Sequence, residues 1–303
     1  MAGLERDPKW GLGDCMGGIA VAFLASLILQ ILVISIWSGS SYWAKGAKHV
    51  SPEETLVVAV VGLVGIWIGL GGAAVRSANK KSAAPGWELV PGRDISPFVG
   101  DGHLGVGGTR GTWGIASNPG QATNDNEGAP GSLKERLRIN FGLSAVPLDI
   151  PLGLALGVGC QLILIPILYL PFVLTDRHLK SELSKPARQL VGGYHGWDLA
   201  IIALFVVVGA PIVEEIFFRG LLLRSIFRAV QSRSSSNLSA VTAVLVSSLV
   251  FALAHYEALQ FLGLAATGAV FGIVAYKTGR IGPTIVAHFA FNATAVVALA
   301  INH

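Results

Sequence analysis

The sequence predicts an all-α bundle of about seven transmembrane helices. Hydrophobic residues make up 52% of the 303 positions and charged residues only 13%, and the mean hydropathy is +0.62. These values are typical of membrane proteins rather than of soluble domains. Seven apolar runs recur along the chain, each about as long as the ~20 residues that a helix needs to cross a bilayer. The net charge of +4 fits basic loops beside membrane spans, so we expect the lipid bilayer, and no nucleic acid, as a partner.

The first two apolar runs lie in residues 1–75, which we interpret as an N-terminal unit of two spans. The run 17–37 is predicted to be an uncleaved anchor, because the apolar region of a signal peptide is shorter, about 7–15 residues. The run 56–75 is rich in glycine, which indicates close packing against another helix. The two cysteines, Cys15 and Cys160, lie at or inside predicted spans and support neither a disulfide framework nor a cysteine metal site.

Residues 76–145 have a different composition. Glycine, proline, serine, asparagine and charged residues dominate without a sustained period, so we expect a long and largely disordered loop. Within it, the stretch 133–143 is predicted to be a short amphipathic helix or a segment on the membrane surface. Basic residues near the two ends of the loop place it in the cytoplasm together with the N-terminus. These residues are Arg76, Lys80, Lys81, Lys134, Arg136 and Arg138.

Residues 146–303 are predicted to hold the remaining five spans and the functional core. The second of these five spans contains Pro211, about one turn before a pair of glutamates. A proline inside a spanning helix frees a backbone carbonyl and often marks a functional break. The five predicted spans are 147–173, 197–230, 238–255, 258–276 and 281–300.

Three ionisable residues, Glu214, Glu215 and Arg219, interrupt the apolar run of the fourth span. Charged groups at membrane depth are costly, and a functional role is the default hypothesis for them. Glu215 and Arg219 are four residues apart and share a helix face, whereas Glu214 is turned roughly 100° away from Glu215. We therefore predict that Glu215 pairs with Arg219, and that Glu214 is free to accept a proton.

Two further pairs with helical spacing lie downstream in apolar helices: Phe251 with His255, and His288 with Asn292. The spacing stacks His288 and Asn292 on one face of their helix. A single intramembrane histidine is most often hydrogen-bonded to a backbone or serine group. Two histidines, with an asparagine beside one and Glu214 on another span, favour a functional site instead. Phe251 is expected to pack beside His255.

These three motifs, in this order, resemble those of the CPBP intramembrane proteases, the family of type II CAAX prenyl endopeptidases and bacteriocin-processing proteins that is also called Abi. The resemblance covers roughly residues 133–303. It implies an intramembrane endopeptidase in which Glu214 is the general base acting on water, His255 positions that water, and His288 with Asn292 stabilises the oxyanion. Prenylated CAAX proteins and bacteriocin-like peptides are the substrates that it implies, and we expect a bacterial plasma membrane.

Three alternatives remain open from the sequence. Glu214, His255 and His288 are also a reasonable zinc ligand set with one position left for water, and the family is often labelled metalloprotease. Without a His-Glu-x-x-His helix these ligands would have to converge from separate spans, so we expect no cofactor and favour a glutamate-activated water. A transporter or channel would use the same residues as an ion or proton pathway, but no repeated halves are visible. A non-catalytic immunity or scaffold protein is disfavoured by the complete motifs.

Overall fold

The protein is a bundle of nine helices, without a strand, over the residues that its computed structural model describes: 11–38, 52–80, 132–176, 178–191, 196–231 and 233–301. Seven of these helices are long and apolar enough to cross a membrane, which confirms the predicted multi-pass fold. The helices are α1 Leu12–Val33, α2 Pro52–Asn79, α3 Leu133–Phe141, α4 Asp149–Thr175, α5 Leu179–Val191, α6 Gly196–Gln231, α7 Ser236–Leu253, α8 Phe261–Thr278 and α9 Gly282–Ile301.

Each predicted span overlaps one of the seven long helices. Most boundaries differ from the prediction by a few residues. Two of these differences move a residue of interest: α2 continues to Asn79, so Arg76 belongs to the helix and not to the loop, and α7 ends at Leu253, before His255. The predicted short helix near residue 133 is present as α3. The greater part of the predicted loop, residues 81–131, lies outside the described residues.

Helix α6 is the centre of the bundle. It has 36 residues, more than the ~20 that a straight crossing requires, and residues 217–227 are all buried. This part of α6 packs against α1, α2, α3, α7 and α8. Because residues 217–227 are surrounded by other helices, Arg219 and Arg224 face protein and not lipid.

Helix α6 contains two wide turns, Leu204–Gly209 and Ile216–Leu222. In such turns an N–H group bonds to the carbonyl five residues earlier, as Ala210 does to Phe205. The first wide turn ends just before Pro211, and the second begins directly after the paired glutamates. Turns of this kind change the phase of a helix and are frequent at functional sites.

Helices α1 and α2 pack with their backbones close together. A Cβ atom at Gly69 would collide with the backbone of Ala22, and one at Gly65 with the backbone of Ser26. Small residues at such contacts are a common way for helices to associate in lipid. The close packing predicted from the glycine content of the second span is therefore confirmed.

A buried ion pair fixes the start of α9. The Asp149 carboxylate is 1% exposed and binds Arg280 through Nη2 at 2.7 Å and Nε at 3.3 Å. The same carboxylate accepts the backbone N–H of Val146 at 2.9 Å, and the N–H of Ile281 donates to the carbonyl of Gly142 at 2.9 Å. These contacts tie the turn between α8 and α9 to the segment before α4, and so position the helix that carries the last polar pair.

Candidate active site

The two charged residues of α6 that were predicted to pair do so. Nη1 of Arg219 lies 3.1 Å from Oε1 of Glu215, and the two side chains are 1% and 0% exposed. One helical turn separates the two residues, so the contact follows from local geometry. Glu215 is thus a buried acid with a permanent cationic partner.

The guanidinium of Arg219 is surrounded by aromatic rings. Its Cζ lies 4.5 Å from the ring centre of Phe251, 5.8 Å from that of Phe271 and 5.9 Å from that of Phe218, distances at which a cation is attracted to a ring face. Nη2 also donates to the carbonyl of Gly268 at 3.3 Å. Phe271 and Gly268 were not predicted as site residues, because nothing in the apolar sequence of α8 distinguishes them.

His288 lies between the two glutamates. Its Nδ1 is 3.0 Å from Oε1 of Glu215, and its Nε2 is 3.9 Å from Oε2 of Glu214. Because the Glu215 carboxylate also faces a guanidinium, it accepts and Nδ1 of His288 donates. Nε2 then faces Glu214. The spacing rules did not predict the contact with Glu215, because that residue is 73 positions away in the chain.

Glu214 is less enclosed than Glu215. Its side chain is 17% exposed, and Oε2 is buried without a hydrogen-bond partner. Among the described residues no lysine or arginine lies within ion-pair distance of it, although Arg219 is near enough to interact with it electrostatically, and Nε2 of His288 lies 3.9 Å from Oε2. Oε2 of Glu215 and Nε of Arg219 are also buried without a hydrogen-bond partner, so the whole polar cluster has hydrogen-bonding capacity that the described residues leave unused.

His255 lies beyond the end of α7, so the prediction that it belongs to this helix is wrong. Its backbone N–H bonds to Ala252 in a tight turn, and the next residue, Tyr256, has a φ of 54°, which takes the chain out of the helix. Nδ1 of His255 lies 2.8 Å from the Phe251 carbonyl. A carbonyl only accepts, so Nδ1 carries the proton, and Nε2 of the neutral ring is an acceptor.

Phe251 contacts both histidines. Its ring centre lies 4.6 Å from that of His255 and 5.7 Å from that of His288, each in an edge-to-face arrangement. The packing role predicted for Phe251 is confirmed, and it extends to His288 and Arg219. Within the described part of the chain, no hydrogen bond or ion pair joins His255 to Glu214 or to His288.

Asn292 is bound to the backbone of α6. Its Nδ2 donates to the carbonyl of Val206 at 2.8 Å, in the wide turn that precedes Pro211. His288 and Asn292 share a face of α9, as predicted, and both reach α6, on opposite sides of Pro211. The resemblance implies Asn292 as an oxyanion donor, whereas the hydrogen bond of its amide here goes to the protein itself.

The three residues of the alternative zinc set, Glu214, His255 and His288, are not grouped as metal ligands. Over the ranges that the structure describes, no group of three His, Cys, Asp or Glu side chains is arranged to hold a metal ion. Glu214 and His288 approach each other, while His255 contacts Phe251. The arrangement therefore does not fit a metal centre built from Glu214, His255 and His288.

Part of the chain is similar to known proteins. Residues 196–294 match the family described as Rce1-like type II CAAX prenyl endopeptidases. The membrane-embedded CAAX protease MroQ of Staphylococcus aureus (strain USA300) is 26% identical over 145 residues, 48% of this chain and 57% of that protein. The match thus spans little more than half of that relative's length. No solved structure matches the chain. The matched segment includes every predicted site residue: Glu214, Glu215, Arg219, Phe251, His255, His288 and Asn292.

Proposed function

Residues 196–294 belong to the CPBP family of intramembrane proteases, and from this premise we propose that the protein is an intramembrane endopeptidase acting on membrane-associated peptides or proteins. The observation that carries the proposal is the position of Glu214. Both glutamates have a buried oxygen without a hydrogen-bond partner, but only Glu214 of the two is partly exposed, at 17% against 0% for Glu215. It lies beside a histidine whose other nitrogen contacts the buried Glu215–Arg219 pair.

In the proposed reaction Glu214 is the general base. It takes a proton from a water molecule, the hydroxide oxygen attacks the carbonyl carbon of the scissile bond, and a tetrahedral intermediate forms. The C–N bond then breaks, and Glu214 returns the proton to the leaving nitrogen. A positioned base of this kind contributes about 10²–10⁴-fold to the rate.

We propose that the two histidines bind different groups in this reaction: His288 binds the oxyanion, and His255 binds the attacking water. Glu215 accepts from Nδ1 of His288 and so fixes the direction of Nε2, which in the protonated ring donates a hydrogen bond to the oxyanion. Nδ1 of His255 donates a hydrogen bond to the Phe251 carbonyl, which leaves Nε2 to accept a hydrogen bond from the attacking water.

The proposed substrates are peptides held at the membrane, either CAAX-type lipidated peptides, as the name of the relative suggests, or unmodified bacteriocin-like peptides. We place the reaction in a bacterial plasma membrane. The site is enclosed by apolar helices, which would limit the access of bulk water.

The test is cleavage of fluorogenic peptides by the purified protein in detergent, with lipidated and unmodified substrates assayed separately. Glu214→Gln is expected to lower kcat by about 10²–10⁴-fold while the protein stays folded. Glu182→Gln is the matched control, because Glu182 is half exposed and forms an exposed ion pair with Lys185 on α5. A Glu214→Gln protein as active as the control would disprove the assignment of the base.

A chelator distinguishes the two ways of activating water. We expect the rate to be unchanged in EDTA or phenanthroline, because Glu214, His255 and His288 do not converge on one point. Loss of activity that added zinc restores would show instead that these residues gather around a metal during the reaction.

A further inference from the structure

One backbone carbonyl of α6 has lost the donor that its own helix would supply. In the wide turn Leu204–Gly209 the N–H groups bond five residues back, and the last of them runs from Ala210 to Phe205. The next donor in this register is residue 211, which would bond to Val206. Residue 211 is a proline and has no N–H.

Asn292 of α9 supplies this missing donor. Its Nδ2 lies 2.8 Å from the carbonyl oxygen of Val206. A carbonyl without a partner is costly at membrane depth, and breaks at proline are tolerated where a neighbouring helix satisfies the freed group. The hydrogen bond therefore compensates for Pro211.

The same face of α9 also contacts α6 on the C-terminal side of Pro211. His288, one turn before Asn292, contacts Glu215 at 3.0 Å and Glu214 at 3.9 Å. The segment Ala210–Glu215 lies between the two points of attachment. Its direction after the proline is thus set by two side chains of one helix.

We propose that Asn292 is a positioning residue: by capping the carbonyl that Pro211 leaves free, it aligns the helix segment that presents Glu214 to the substrate. Its effect on cleavage rests on the proposed function, whereas the hydrogen bond and its coupling to Pro211 do not. An oxyanion donor would instead act on the substrate directly, whatever residue stands at position 211.

A double-mutant cycle separates these two roles. Asn292→Ala is expected to lower kcat about 100-fold, as a misplaced catalytic group does, with little change in KM, and to lower the unfolding temperature. Pro211→Ala restores an N–H that can reach Val206. In the Pro211→Ala protein, the loss of kcat caused by Asn292→Ala is expected to be smaller by about tenfold or more. Coupling of this size is typical of residues that share one partner. Equal losses in both backgrounds, in rate and in unfolding temperature, would overturn the proposal.

A control and a second measurement keep the test decisive. Thr294→Val on the same helix removes only a hydroxyl that bonds the Ala290 carbonyl of α9 itself, at 2.7 Å. If Pro211→Ala does not fold, hydrogen–deuterium exchange of residues 204–215 is compared in the wild type, Asn292→Ala and Thr294→Val. Faster exchange in Asn292→Ala alone is expected, and unchanged exchange would overturn the proposal. Neither exchange nor unfolding needs a substrate, so a wild type that cleaves no peptide would refute the proposed function without deciding this one.

Discussion

Glu214 and Glu215 are neighbours in the chain with different surroundings. Oε1 of Glu215 is shared by Arg219 and His288, and its side chain is fully buried, whereas the side chain of Glu214 is 17% exposed and lies 3.9 Å from Nε2 of His288. The helical period turns the two carboxylates roughly 100° apart, which agrees with the proposal that Glu215 has a structural role and Glu214 a chemical one. The contact with His288 then links the two roles, because Glu215 orients the ring that faces Glu214.

Breaking the buried Glu215–Arg219 pair is expected to destabilise the protein strongly. Glu215→Gln or Arg219→Gln leaves one buried charge without its partner, which costs about 3–5 kcal/mol by the general rule for broken buried pairs. The double variant removes both charges and should cost less than the sum of the two single changes. The free energy of unfolding in detergent measures this, with Glu214→Gln as the comparison. Additive costs, or a Glu215→Gln protein as stable as the wild type, would contradict the expectation.

The two nitrogens of His255 can be tested separately. In His255→Asn the side-chain amide can still donate to the Phe251 carbonyl, as Nδ1 does, but no atom replaces Nε2. We expect this variant to unfold near the wild-type temperature and to lose about 10²–10⁴-fold in kcat. His255→Ala should lose stability as well as activity. Wild-type cleavage by His255→Asn would show that Nε2 takes no part in the reaction.

At the scale of helices, interruptions of the regular period determine where the site residues meet. The wide turns of α6 lie on either side of the segment Ala210–Glu215, and α7 ends before His255 with a side chain capping its last turn. The chain therefore places its polar groups at helix breaks, where backbone carbonyls need partners from other helices.

The contact between α1 and α2 gives a prediction with an internal control. Gly69→Ala would place a methyl group against the backbone of Ala22, whereas the same change at Gly71 meets only Cγ1 of Val213 at an ordinary 4.0 Å. We expect Gly69→Ala to lower the unfolding temperature by several degrees. Gly71→Ala should leave it unchanged or raise it slightly, because alanine favours the helix by up to about 1 kcal/mol. Equal behaviour of the two variants would show that α1 and α2 do not pack at Gly69.

At the scale of the whole molecule, the described helices enclose a charged site and present apolar side chains outward. Large exposed residues recur along α1, for example Leu24, Leu27, Ile28 and Ile31, as expected of a surface in contact with lipid. The Glu215–Arg219 ion pair, by contrast, is buried inside the bundle, away from this apolar surface.

The orientation in the membrane stays a prediction from the basic residues at the ends of the 76–145 segment. A cysteine introduced at Gly105 should not react with a membrane-impermeant reagent in intact cells, and should react after the cells are opened. The native Cys15 and Cys160 are buried, so background labelling should be low. Rapid labelling of intact cells would reverse the topology.

The sequence alone determined the features that depend on composition and on one helix at a time. Long apolar runs predicted the seven spans, and a separation of four residues predicted the Glu215–Arg219 pair, because the helical period relates neighbours in one element. The order of the motifs identified the family. Within the site, the spacing rules also predicted the shared face of His288 and Asn292.

Only the tertiary structure decided which helix faces which. Contacts of His288 with both glutamates, and of Asn292 with Val206, join residues 73 to 86 positions apart. Such contacts depend on how the helices cross and on shifts of phase at wide turns and at Pro211, whereas spacing rules assume an unbroken period of about 3.6 residues. A proline signals that a carbonyl is freed, but which side chain reaches that carbonyl is settled by the packing of α9 against α6.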